Sequence, residues 1–150
     1  MTRGPDPGRQ LEPMASVGRL IRRVPTVLLV DPDREGAWPL AAALTRAYDV
    51  ALVGFAREAL TSIEVRRPDL IVTELDLPDA AGVELIEHIH MTPATHHVLL
   101  LVVTGRRSVH DKIAAFQAGT DDYLVKPVDP REFVQHVQLL SRFRKVIGGA

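Results

Sequence analysis

Residues 68–78 read Pro-Asp-Leu-Ile-Val-Thr-Glu-Leu-Asp-Leu-Pro. Asp69 to Thr73 is a short, mostly apolar, β-branched run that ends in a carboxylate at Glu74, and the Leu-Asp-Leu-Pro that follows cannot continue as a buried strand. In an open parallel sheet, ligands and chemistry collect outside the carboxyl ends of the strands. The meaning of Glu74 therefore depends on what the other strand tips present.

Upstream, Thr26–Val30 (TVLLV) is a continuous apolar run, the pattern of a strand buried on both faces, and it ends in Asp31-Pro32-Asp33. Arg34 to Ala47 is rich in alanine and leucine and reads as a helix with Leu40, Ala43, Leu44 and Ala47 inward. Pro39 would cost roughly 3 kcal/mol in a helix interior, so the regular helix is expected to begin near Trp38 or to have distorted first turns. Asp49–Val53 reads as a second strand and 56–66 as a second helix.

Downstream, Asp79 is placed to cap a third helix, 82–91, with Val83, Ile86 and Ile89 or His90 inward. Val98–Val103 is the most apolar strand, expected at the centre of the sheet, and it ends in Thr104-Gly105. A fourth helix, 108–118, carries Val109, Ile113 and Phe116 on one face, with Gly119 where helices end in a left-handed cap. Tyr123–Val125 is a last strand, followed by Lys126-Pro127. Asp129-Pro130-Arg131-Glu132 is a strong helix start, and that helix should run to about Lys145, burying Phe133, Val137, Leu140 and Phe143.

Five strands alternating with five helices through short connections specify an α/β fold, a doubly wound parallel sheet. The tips of the first, third, fourth and fifth strands then carry Asp31 with Asp33, Glu74, Thr104 and Lys126. Carboxylates suit Mg²⁺, and a hydroxyl with an ammonium suits the oxygens of a phosphoryl group brought to it. Each residue has a plain reading of its own, as a turn acid, a cap or a solvated charge; at four tips of one sheet they read together as a site.

At 150 residues with 46% hydrophobic and 25% charged content, the chain is one soluble domain's worth. A net charge of −1 gives no overall case for nucleic acid or membrane as a partner, although the first 25 residues carry five arginines against two acids. The expected layout is a flexible tail over 1–24, in which Leu20, Ile21 and Val24 could dock, a domain over 25–146, and a short tail over 147–150. Without cysteine there is no disulfide, thiolate metal site or cysteine nucleophile, and a cytoplasmic setting is expected. No segment reads as a signal or a membrane span. The six histidines lack metal-ligand spacing and read as solvated side chains.

The segments VLLVDPDRE (27–35), PDLIVTELDLPDAAGVELI (68–86), LLLVVTG (99–105) and AGTDDYLVKPVDPREF (118–133) resemble the receiver domain of bacterial two-component response regulators, over about 26–144. The resemblance implies a flavodoxin-like sheet of order 2-1-3-4-5. It also implies a phosphoacceptor position at Glu74, a threonine and lysine at Thr104 and Lys126 that contact the phosphoryl group, a switch aromatic at Tyr123, and an acidic metal pair falling on Asp31 and Pro32. Two of these positions depart from the family: glutamate stands for aspartate, and proline for an acid. Glutamate is longer by one methylene, about 1.5 Å, which overshoots the position for in-line attack. The Mg²⁺ site is weakened unless Asp33 joins Asp31.

The expectation is a degenerate receiver, not an enzyme, that needs no cofactor and acts as a protein-interaction module, with Glu74 imitating part of a phosphoryl's charge. The alternatives are slow phosphotransfer to Glu74 or Asp76, and a small-molecule-binding α/β domain or hydrolase. The last lacks a glycine-rich phosphate loop and a G-x-S-x-G elbow. Expected partners are a histidine kinase, a phosphotransfer protein or an output protein, with a possible homodimer through the face made of 108–117, 121–125 and 131–144. Little sequence follows the last helix, so no DNA-binding domain is expected within the chain.

Overall fold

Parallel pairing needs a crossover between successive strands, and the chain supplies a helix for each. The computed structural model describes the backbone of residues 24–148 and the side chains through Arg142. Its elements are β1 (Thr26–Val30), α1 (Arg34–Leu44), β2 (Asp49–Val53), α2 (Ala56–Val65), β3 (Leu70–Thr73), α3 (Gly82–Met91), β4 (Leu99–Thr104), α4 (Val109–Ala118), β5 (Asp122–Val125) and α5 (Pro130–Gly148). The strands form one sheet of order β2-β1-β3-β4-β5, all pairs parallel. This is the flavodoxin-like order. The middle strand is β3, not β4 as expected from its apolar content; β4 is equally apolar because it too is paired on both edges and covered on both faces.

Side chains alternate along each strand, so the core divides in two. Leu28, Val30, Ile71, Leu100 and Val102 pack with Ala59 of α2, Leu85, Ile86 and Ile89 of α3 and Ala115 of α4. On the other face Val27, Leu29, Leu70, Val72, Leu101 and Val103 pack with Leu40 and Leu44 of α1 and Phe133 and Val137 of α5.

Several helix expectations change in detail. The first helix begins at Arg34, not near Trp38, because Asp33 caps it and accepts from Gly36 N at 3.1 Å; Pro39 is tolerated on its exposed side. Its buried stripe is Ala37, Leu40, Ala41 and Leu44, while Ala47 is exposed beyond the helix end. Asp79 does not cap α3. Its carboxylate instead accepts from Ala56 N (2.8 Å) and Arg57 N (3.0 Å), capping α2 from across the fold. In α3, Leu85, Ile86 and Ile89 are buried and His90 is exposed. In α4, Val109, Ile113 and Phe116 do share a face, and that face points outward, at 69%, 52% and 48% exposure; Ala115 and Ala118 make the inward contact. The last helix runs on to Gly148 and half-buries Leu140, whereas Phe143 lies outside the described side chains. The expectations for Leu20 and Ile21 likewise fall outside the described residues.

Phe133 is fully buried in the second core. Phe133→Ala should lower the unfolding free energy by about 3–5 kcal/mol. Leu139→Ala, on the exposed side of the same helix at 56% exposure, should stay within about 0.5 kcal/mol. Denaturant titration of both variants checks the burial assignment.

Candidate functional site

Register decides which tip residues meet. Val30, Thr73, Val102 and Tyr123 form one row across the sheet. Asp31 and Glu74 come one residue later, and their amides extend the ladders by donating to Val53 O and Val30 O, both at 2.9 Å. The two carboxylates therefore stand side by side at the end of neighbouring strands. Lys126 is two residues farther out than the row of Glu74, with its amide on Thr104 O at 2.8 Å, so its long side chain leans back over the end of β4 to reach them. The Lys126–Pro127 peptide is cis.

Lys126 Nζ donates to Asp31 Oδ2 at 2.8 Å and to Glu74 Oε2 at 2.9 Å. The side chains of Glu74 and Asp31 are only 9% and 11% exposed, and that of Lys126 29%. Burial opposes the charge on Lys126, and the hydrogen bonds and charges of Asp31 and Glu74 outweigh it, holding the ammonium above the ordinary lysine range. Every carboxylate oxygen of the pair is engaged: Asp31 Oδ1 accepts from Asp33 N at 2.9 Å, and Glu74 Oε1 accepts from Leu75 N at 2.6 Å and Asp76 N at 3.3 Å. The backbone under Glu74 is pinned by α3. A Cβ on Gly82 would come within 2.5 Å of Glu74 O and 2.6 Å of Leu75 Cα, so only glycine lets the helix start this close.

Thr104 and Tyr123 belong to a second network. Thr104 Oγ1 accepts from Arg106 N at 3.3 Å, and Tyr123 Oη donates to Arg106 O at 2.7 Å. The Arg106 guanidinium forks onto Asp76, with contacts of 2.6, 2.9 and 3.1 Å, and lies 3.6 Å from Asp111 at the start of α4. The Arg106 hydrogen bond holds the Asp76 carboxyl below its usual range, and Asp76 raises Arg106 in turn. Asp76 therefore does more than face water. Arg106 escaped the sequence reading, although its place two residues after Thr104, at the same sheet edge as an unpartnered Asp76, was a usable signal. His136 escaped too: its Nδ1 lies 2.8 Å from Asp122 Oδ2, tying α5 to β5.

The expected cation site does not fit the residues present. Asp33 is occupied as the cap of α1 instead of joining Asp31, Pro32 offers no side-chain donor atom, and Asp31 Oδ2 and Glu74 Oε2 are both taken by an ammonium. Among the described residues, no group of three or more His, Cys, Asp or Glu is arranged to hold a metal ion.

The family model for the response regulator receiver domain matches residues 27–138. The chain belongs to the receiver family. Among curated proteins, this receiver is 36% identical over 121 residues to the transcriptional regulatory protein PrrA of Mycobacterium tuberculosis, covering 80% of this chain and 51% of that one. It is 31% identical over 117 residues to the DNA-binding response regulator MtrA of the same organism, with 77% and 50% covered. It thus spans about half the length of the curated relatives it matches. A CheY-like receiver domain protein from Methanospirillum hungatei superposes with a TM-score of 0.74 at 29% identity, over 81% of this receiver and 98% of that chain.

Removing Lys126 strands two nearly buried carboxylates. Lys126→Met should cost toward the lower end of the roughly 3–5 kcal/mol seen when one partner of a buried pair is lost, since the lysine keeps some solvent contact. Because the folded state raises the lysine pKa above its ordinary 10.5, its contribution is complete below that pH and fades as pH rises through the folded value. The stability gap between wild type and Lys126→Met should be flat from about pH 7 to 10 and narrow above it, as denaturant melts across that range will show.

Proposed function

We propose that this receiver is an atypical one: a protein-interaction module whose output does not depend on aspartyl phosphate, with Glu74 as a permanent anionic partner of Lys126. The observation that carries this is the Lys126 ammonium, bonded at once to Glu74 and Asp31. In the family reading, Lys126 and Thr104 serve a phosphoryl group on the acceptor at the third strand tip. Here Lys126 already has an anion, and it comes from the acceptor position itself. The three charges sum to about −1, so an arriving phosphoryl dianion meets an acidic cleft whose one ammonium is spoken for. Glu74 supplies one unit of charge where a phosphate would supply −1.5 to −2, a partial imitation with Tyr123 as the switch side chain.

The alternative acceptor, Asp76, is disfavoured by its engagement with Arg106 outside the cleft. On this reading the domain is not an enzyme, works in the cytoplasm and needs no bound Mg²⁺. The weak Asp31–Asp33 site is unused because both acids have other work. Partners are a histidine kinase, a phosphotransfer protein or an output protein. The outward apolar stripe of α4, with the edges of β5 and α5, supports docking or homodimerisation there. What the names of the curated relatives say about DNA and transcription belongs to those longer proteins.

The test is Mg²⁺ with beryllofluoride, read by Trp38 and Tyr123 fluorescence, in the wild type and in Glu74→Asp. Only the aspartate variant should respond, with no phosphoryl label entering the wild type from a small-molecule donor. A wild-type response of equal size would end the proposal.

A further inference from the structure

The Arg106 contacts lie outside the Lys126 trio, yet they begin where it ends. Glu74 Oε1 accepts from the backbone N–H of Asp76, so the buried carboxylate fixes the backbone of the residue whose side chain holds Arg106. Arg106 in turn carries three further links on one residue: its N–H to Thr104 Oγ1, its carbonyl to Tyr123 Oη, and its guanidinium toward Asp111 in the first turn of α4. The Tyr123 ring then sits 6.3 Å from Phe116 and 5.9 Å from Lys112 Nζ. One continuous set of contacts runs from the third strand tip to the apolar surface of α4.

We propose that the Asp76–Arg106 ion pair is a latch, with Arg106 the positioning residue through which the standing carboxylate of Glu74 helps hold Tyr123 and the outward face of α4. The β4–α4 connection, residues 105–108, is exposed, and Gly105 has open space around it, so packing alone does not hold it. The fork onto Asp76 does. Nε contacting both carboxylate oxygens and Nη2 contacting Oδ1 together set both the distance and the plane of the guanidinium, which a single contact would not. An ordinary exposed ion pair contributes little; this one matters because the residue that makes it also carries the tyrosine's acceptor. With the latch closed, Arg106 O stays where Tyr123 Oη can reach it and the ring lies against Phe116. With the latch open, the tyrosine loses its acceptor and the surface of α4 beside it changes. Glu74 acts on the latch by holding the Asp76 amide. This inference rests on the proposed function only in taking Glu74 as a standing charge.

The test uses the full chain labelled with fluorotyrosine, which has two tyrosines, Tyr48 and Tyr123; Tyr48→Phe assigns the two fluorine resonances. Arg106→Ala should displace the Tyr123 resonance and leave Tyr48 in place. Arg106→Lys should recover only part of the wild-type position, and the exchanged pair Asp76→Arg with Arg106→Asp most of it. Salt raised from about 0.05 M to about 1 M should move wild type toward the Arg106→Ala position, since the pair is exposed to screening. The deciding comparison is Glu74→Ala, which removes the acceptor of the Asp76 amide and should shift Tyr123 several-fold more in the presence of Arg106 than in the Arg106→Ala background. An equal shift in both backgrounds, or no Tyr123 shift on Arg106→Ala, overturns the latch and leaves the reading of Glu74 untouched. That reading fails separately, through a wild-type response to beryllofluoride.

Discussion

The structure at this sheet edge depends on one ammonium shared by two carboxylates. Bringing Asp31, Glu74 and Lys126 out of water is expensive, and Coulomb attraction repays it only when the remaining oxygens are also satisfied. They are: backbone amides of Asp33, Leu75 and Asp76 take the other oxygen of each acid. The trio ties the tips of β1 and β3 to β5, which is not adjacent to either. It therefore fixes the end of the sheet across β4, where backbone pairing alone would align only neighbours.

Acids at this edge are distributed among competing uses. Asp33 could have served a cation, but as the cap of α1 it satisfies an amide that would otherwise go unmet. Asp76 is matched to a guanidinium fork. Asp79 leaves the cleft altogether to cap α2. What remains is a cleft organised by internal charge pairing, in a fold whose relatives include DNA-binding and transcriptional regulators.

The outward face of α4 follows from the same economy of space. Small Ala115 and Ala118 let the helix sit close against the sheet and α3, and Gly119, with φ of 127°, ends the helix beside the His90 ring where a side chain would clash. The larger Val109, Ile113 and Phe116 are left on the other side. Three exposed apolar residues on one helix lie next to a half-buried tyrosine.

Local pattern determined the elements of this protein. Apolar β-branched runs followed by acids, a hydroxyl or a lysine, with helices between them, were enough to place five strands, their parallel sense and the shared edge of Asp31, Glu74, Thr104 and Lys126, while the strand order followed from the resemblance to receivers. Those are properties of period, turn chemistry and handedness, which a chain carries in its own neighbours. Partner choice among charges was not local. Whether Asp79 capped its own helix or another, whether Asp33 faced a cation or an amide, whether Thr104 turned to Glu74 or to Arg106, and which side of α4 faced the sheet were decided by distances between segments far apart in sequence. Only the tertiary structure sets those distances, because a polar group takes the partner that packing brings within about 3 Å, and packing is a property of the whole fold.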